Sequence, residues 1–214
     1  MAEPEITPAL VLRAYRMGLF PMAETRDAPE LFWLDPQRRG ILPLDGLHVS
    51  RSLARRIRRG RFEVRIDTAF EAVMRACAAR RETWINDSIL ELFCALHAQG
   101  HAHSLEIHDA DGLRGGVYGL AQGAAFFGES MFSARTDGSK LALVYLCHRL
   151  RAGGFRLFDT QFLTAHLESL GAVEIPRARY HALLADALRH DADFHRYAGT
   201  PPVQEVLQLS TQKS

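Results

Sequence analysis

The stretch from Val117 to Phe132, VYGLAQGAAFFGESMF, constrains the fold more than any other part of the chain. It reads as two short apolar strands separated by Gln122-Gly123. In the second strand, period-two alternation puts Phe127, Glu129 and Met131 on one face, so a carboxylate sits between two large apolar side chains. Such a group is costly unless it is paired, hydrogen-bonded or used. A second polar intrusion follows in FRLFDTQF, where Asp159 and Gln161 share one face of another apolar strand. Glu129, Asp159 and Gln161 are therefore the first candidates for chemistry.

The rest of the chain supplies helices and further strands. Thr7 caps a helix that Gly18 stops, and the Pro-, Asp- and Arg-rich segment 20–43 has no sustained period and is expected to be irregular. Residues 48–61 carry arginines at 51, 55, 56, 58, 59 and 61 around an apolar seam of Leu53 and Ile57, with no acidic residue inside the run. Arginines without i,i+4 partners repel one another and suit a phosphate ligand. Strand 62–66 precedes a helix opened by the capping-box pattern Thr68-x-x-Glu71. Asn86 or Asp87 caps the next helix, which ends at Gly100. A strand at 103–107, a turn at 109–112 and the strand from Gly115 then lead into the Glu129 strand. The loop 135–140, a helix, the Asp159 strand, a short helix, a strand at 173–175 and a helix after Pro176 complete the order. Beyond about His190 the pattern fades into what reads as a loose tail. This order is α+β with a mixed sheet.

The chain has 214 residues and a net charge of +1, so nucleic-acid contact has to come from local clustering, as in the arginine run. Cys77, Cys94 and Cys147 fall in helical patterns without C-x-x-C spacing and read as buried free thiols of a reducing compartment. The spacing of His101, His103 and His166 matches no zinc motif, and no metal is expected. The start, MAEPE, lacks a basic-then-apolar leader, and no apolar run approaches the ~18 residues of a membrane span. A cytoplasmic protein with no membrane contact is the expectation.

A meander followed by a helix and another strand resembles GNAT-type acyl-CoA N-acetyltransferases, in which an R-x-x-G-x-G/A loop holds a pyrophosphate. Arg135-x-x-Gly138-x-Lys140 matches that loop in part, with Lys140 in place of the small final residue. A CoA-dependent N-acetyltransferase is therefore the competing expectation.

A more specific resemblance runs in order along the chain. AYRMGLFP at 14–21, HVSRS at 48–52, TWI at 83–85, GHAHSLE at 100–106 and GGVYG at 115–119 resemble bacterial leucyl/phenylalanyl-tRNA–protein transferases. So do FFGESMF at 126–132, SK at 139–140, DTQ at 159–161 and SLGAVEIPR at 169–177. The resemblance implies a small N-terminal domain over 1–47, a GNAT-like catalytic domain over 48–190 and a C-terminal tail over 191–214. It implies transfer of Leu, Phe or Met from aminoacyl-tRNA to the N-terminal Arg or Lys of a protein, which creates an N-degron, and it implies no cofactor.

By position, Gln161 would accept a hydrogen bond from the attacking amine, Asp159 would orient Gln161, and Glu129 would fix the donor. Val117, Phe126, Leu143, Leu146 and Phe158 would form the aminoacyl side-chain slot. Val117 stands where Met is familiar in the family, and Leu146 where Phe is. Trp84 and Trp33 would hold the terminal adenosine of the tRNA by stacking. Arg51, Arg55, Arg56, Arg58, Arg59 and Arg61 would track its phosphates.

Overall fold

The structure, a computed structural model, describes residues 6–28, 30–197 and 199–208. The MAEPE start and the last residues of the expected tail lie outside the described residues. In chain order the elements are α1 (Pro8–Arg16), β1 (Phe20–Ala23), β2 (Leu31–Leu34), β3 (Arg38–Ile41), α2 (Arg51–Arg59), β4 (Glu63–Ile66), α3 (Phe70–Ala78) and α4 (Asp87–Ala98). They continue with β5 (Ala102–Asp109), β6 (Gly112–Gln122), β7 (Ala125–Ser133), α5 (Gly138–Ala152), β8 (Leu157–Gln161), α6 (Ala165–Glu168), β9 (Val173–Pro176), α7 (Arg177–Ala187) and α8 (Val203–Gln208).

Seven strands form one sheet in the order β4-β5-β6-β7-β8-β3-β9, and β1 pairs with β2 in a separate hairpin. Within the large sheet only β7–β8 is parallel, joined by the α5 crossover, and the other pairs are antiparallel. The expectation of an α+β fold built on a mixed sheet holds. One face is covered by α1, α3, α4, α7 and the β1–β2 hairpin, and the other by α2, α5, α6 and the segment ending in α8. Among the described residues no helix is long and apolar enough to cross a membrane.

Local chemistry explains most boundaries. Thr7, Ser50 and Asn86 cap α1, α2 and α4 by accepting from the backbone N–H three residues on. Gly60 ends α2 in the left-handed conformation. Gly123, with φ 52°, makes the tight β6–β7 turn.

Four expectations need correction. The segment 20–43 contains three strands, and β3 is inserted between β8 and β9 in the large sheet. Four-residue strands are too short to show a period, and the partners of β3 lie more than a hundred residues away. Thr68 does not cap α3; its N–H and hydroxyl both donate to Glu106 on β5, at 3.3 and 2.7 Å, and α3 starts without a side-chain cap. Residues beyond His190 are not loose as far as they are described, because Phe194 and Val206 are buried in the second face of the core. Finally, Met131 does not share a face with Glu129. Tyr118 pairs with Ser130 and Gly119 with Gly128, so Glu129 is the extra residue of a β-bulge. Glu129 consequently points toward α1, while Met131 packs on the α5 side. The bulge forms beside Gly119, where any Cβ would collide with the Phe127 carbonyl.

Candidate active site

The bulge coincides with the end of the β7–β8 pairing. These parallel strands pair only from Ala125↔Leu157 to Phe127↔Asp159. Beyond that point Gly128 and Glu129 on one strand and Thr160 and Gln161 on the other line a cavity of about 800 Å³. The side chains bridge the gap, with Gln161 Nε2 donating to Glu129 Oε1 at 2.8 Å.

Glu129 is 7% exposed. Its Oε1 also accepts from the Tyr15 hydroxyl at 2.8 Å, whereas its buried Oε2 has no partner. Burial pushes its pKa up to about 8, with the Asp159 charge adding to the rise and the hydrogen bonds from Tyr15 and Gln161 opposing it. Tyr15 is raised well above the ordinary tyrosine value, first by burial and then by the neighbouring Glu129, so it stays a donor.

Asp159 faces the same layer but is not part of the cavity wall. It forms a fully buried ion pair with Arg39, 0% exposed on both sides, in which Arg39 Nε donates to Oδ1 at 2.9 Å and Nη2 to Oδ2 at 2.6 Å. The Tyr180 hydroxyl donates to Oδ2 at 2.7 Å, and the backbone N–H of Gln161 donates to Oδ1 at 2.8 Å. The Arg39 guanidinium is stacked between Phe20 and Tyr180, 4.5 and 4.3 Å from their ring centres, and also donates to the Gly18 carbonyl. Asp159 thus reaches Gln161 through its main chain. Gln161 needs that support, because it adopts φ 60°, which is rare for a residue with a side chain.

Of the expected slot residues, Val117, Leu143 and Phe158 line the cavity. Phe126 and Leu146 do not; both are buried behind it, Phe126 against Phe155, Phe158 and Phe194. Trp84 is in the cavity wall. Trp33 is not, being a half-buried residue of β2 opposite Pro21. Met22 from β1 stands in the wall instead, with Arg80 and Phe162. His166 lines the cavity as well, with Nε2 3.4 Å from Ser139 Oγ; burial, with Lys140 second, lowers its pKa, so it is neutral near pH 7.

The arginine helix forms a separate hollow. Arg55, Arg56, Arg59 and Arg61 meet Ser52, Phe62 and Arg114 around a cavity of about 350 Å³, while Arg51 and Arg58 lie outside it. Arg56 has an acidic partner from outside the run, Asp137 at 2.8 Å. The loop before α5 is poorly arranged for a pyrophosphate. The Ser139 N–H is taken by Ser133 Oγ at 2.7 Å, Arg135 pairs with Asp111, and the Asp137 carboxylate sits beside the helix start.

Sequence reasoning missed Arg39, Tyr15 and Tyr180. Arg39 stood in the segment 20–43, which reads as irregular, and Tyr15 and Tyr180 lie within stretches read only as helices. The cysteines are free, as expected, and burial pushes Cys77 and Cys147 up to about 12.

Comparison with known proteins bears on this arrangement. The family profile described as leucyl/phenylalanyl-tRNA protein transferase matches residues 41–185, and the one for the N-terminal domain of the same family matches 4–37. A leucyl/phenylalanyl-tRNA–protein transferase of Cereibacter sphaeroides is 60% identical over 214 residues, the whole of both chains. Those of Ruegeria pomeroyi and Paramagnetospirillum magneticum are 58% identical over 209 residues and 59% over 197. The alignments cover 98% of this chain and 99% of the first relative, and 90% and 94% for the second. The chain that places Glu129 and Gln161 across a parted parallel strand pair belongs to the leucyl/phenylalanyl-tRNA protein transferase family.

Proposed function

We propose that this protein transfers a leucyl or phenylalanyl group, and also methionyl, from aminoacyl-tRNA to the N-terminal Arg or Lys of an acceptor protein, marking it for proteolysis in the cytoplasm. The observation that carries the reading is the buried Glu129–Gln161 contact in the wall of a largely apolar cavity, in a chain of this family.

An aminoacyl ester is already activated, so the protein has to orient the amine, manage one proton and support the oxyanion. The amine attacks the ester carbonyl, a C–N bond forms, and the C–O bond to the terminal ribose breaks. The proton lost by the amine ends on the ribose oxygen. An N-terminal amine has a pKa of about 7.7–8.0. Glu129 at about 8 matches it, so proton exchange between the two is close to thermoneutral. The unpartnered Oε2 is the receiving atom. With its amide nitrogen turned to Glu129, Gln161 has its amide oxygen left to accept from the amine. Asp159, neutralised by Arg39, acts as a positioning residue for the Gln161 backbone.

Val117, Leu143 and Phe158 receive the donor side chain, with Phe126 and Leu146 as the packing behind them. Trp84, with Met22 in the same cavity wall, holds the terminal adenosine, and Trp33, outside that wall, takes no part. For the domains, the proposal is that residues up to 47 act as a clamp, lending Tyr15 and Arg39 to a site otherwise built within 48–190, and that the segment from 191 covers α5.

A peptide beginning with Arg, offered leucyl-tRNA or acetyl-CoA in parallel, tests the reading. Mass spectrometry is expected to show a leucyl adduct only, and acetylation without leucylation would refute the proposal. The arginine helix carries a second expectation. Replacing Arg55, Arg56, Arg58 and Arg59 by Ala is expected to weaken use of charged tRNA. The slope of log affinity on log salt falls by about 0.7–0.9 for each phosphate that is no longer neutralised. Use of a short aminoacyl-adenosine is expected to be unchanged; equal losses on both donors would remove the phosphate-tracking role.

A further inference from the structure

Away from the cavity, three potential metal ligands converge near the β4–β5 edge of the sheet. Asp67 follows β4, His103 lies on β5, and His195 comes from the segment after α7. One ligand atom from each lies within 4.8 Å of the other two. His103 Nδ1 is 2.8 Å and His195 Nε2 is 3.2 Å from the same carboxylate oxygen, Asp67 Oδ2. The other oxygen, Oδ1, is fixed by the Ser104 N–H at 2.6 Å. We propose that Asp67, His103 and His195 form a binding site for a divalent transition cation of the zinc type.

The donor set suits such an ion. Zinc takes imidazole nitrogen and carboxylate oxygen at about 2.0–2.2 Å in a tetrahedron, so two imidazole nitrogens 2.8 and 3.2 Å from one carboxylate oxygen need only a modest rearrangement. The set contains no backbone carbonyls or multiple carboxylates, which magnesium and calcium require.

The ligands are held in place by their surroundings. His103 is buried, and its ring stacks on Phe194 with 4.3 Å between centres. Phe194 is wedged against Phe126 and Phe155, and its carbonyl accepts from Arg149 Nη1 at 2.7 Å. This wedge presents the next residue, His195, although its side chain is 59% exposed. That exposed side leaves a fourth coordination position open to water. Arg149 places one positive charge near Asp67, and the Asp193 carboxylate close to the same guanidinium offsets it. His97 approaches Asp67 Oδ1 at 3.9 Å but has its Nδ1 committed to the Ala102 carbonyl.

A bound ion would fasten the C-terminal segment to the sheet. α8, which continues that segment, packs against α5 and α2, so the ion would also steady the helix that carries the arginines.

The experiment is a calorimetric titration of the chelator-treated full-length protein with zinc chloride near pH 7.5. One equivalent is expected to bind, with Tm rising by several degrees at about 100-fold excess over Kd. Magnesium is expected to produce no shift. His195→Ala, an exposed change that preserves the metal-free Tm, is expected to weaken that equivalent by at least about tenfold. The chain has ten histidines, so zinc that binds His195→Ala as tightly as the parent sits elsewhere and overturns the proposal. Absence of any zinc binding in the titration overturns it equally.

Discussion

Glu129→Gln is expected to abolish aminoacyl transfer while making the protein more stable at alkaline pH. The two effects share one cause. Burial raises the Glu129 pKa from its ordinary value of 4.5 to about 8, so the folded state binds a proton that the unfolded chain releases. A raised folded pKa means that this contribution to stability is complete below about pH 4.5. It is lost progressively as pH climbs to about 8 and is absent above that. Glutamine does not titrate, its oxygen keeps both acceptor roles toward Tyr15 and Gln161, and its amide nitrogen replaces an oxygen that had no partner. A neutral amide left unpaired costs less than an unpaired carboxylate. Thermal unfolding at pH 9 is therefore expected at a higher temperature for Glu129→Gln than for the parent, with the two converging near pH 4.

Transfer is expected to fall by roughly 10²–10⁴-fold, the usual contribution of a positioned acid–base group. In the parent, transfer to an Arg-starting peptide rises with pH toward about 8 as the amine and Glu129 lose their protons, and the residual rate of the variant keeps only the part of the rise that belongs to the amine. Full activity of Glu129→Gln, or a lower Tm at pH 9, would show that the carboxylate serves the fold and not the reaction.

Arg39→Met is expected to be the most destabilising single change in the molecule. It leaves the Asp159 carboxylate buried with only Tyr180 and one backbone N–H as donors. Breaking a buried pair on one side costs about 3–5 kcal/mol, because an uncompensated charge remains. For a chain of this size that corresponds to a fall in Tm of about 6–20 °C. Asp159→Asn added to Arg39→Met is expected to recover much of the loss, since the asparagine oxygen still accepts from the Gln161 N–H. Arg39→Lys is not expected to rescue, because an ammonium supplies neither the bidentate fork nor the flat face between Phe20 and Tyr180. Urea titrations of the three variants measure this directly. A double variant as unstable as Arg39→Met alone would mean that the guanidinium matters for its packing and not for its charge.

These two residues also mark the limit of what the sequence reveals. Glu129 and Gln161 were visible because each interrupts an apolar strand, and local alternation is enough to expose such a breach. The helix starts at Thr7 and Asn86 were visible because a cap acts within three residues of itself. Arg39 was not visible, because its partner lies 120 residues away and its own strand is four residues long. The face of Met131 was misjudged because a bulge adds one residue, and strict alternation has no way to register it. Thr68 looked like a helix cap until a better acceptor, Glu106, arrived from a distant strand. Met22 was not visible as a site residue, because only the β1–β2 hairpin brings it to the cavity wall.

The insertion of β3 between β8 and β9 has a consequence for the order in which the molecule is made. Ribosomes emit residues 38–41 early, and both strands that will flank them emerge more than a hundred residues later. Tyr15 likewise waits for Glu129, and closing such long loops is an entropic debt that only the completed sheet discharges. The growing chain therefore holds a charged arginine in water until nearly the whole gene has been read, and the transfer site comes into being as one of the last events of synthesis.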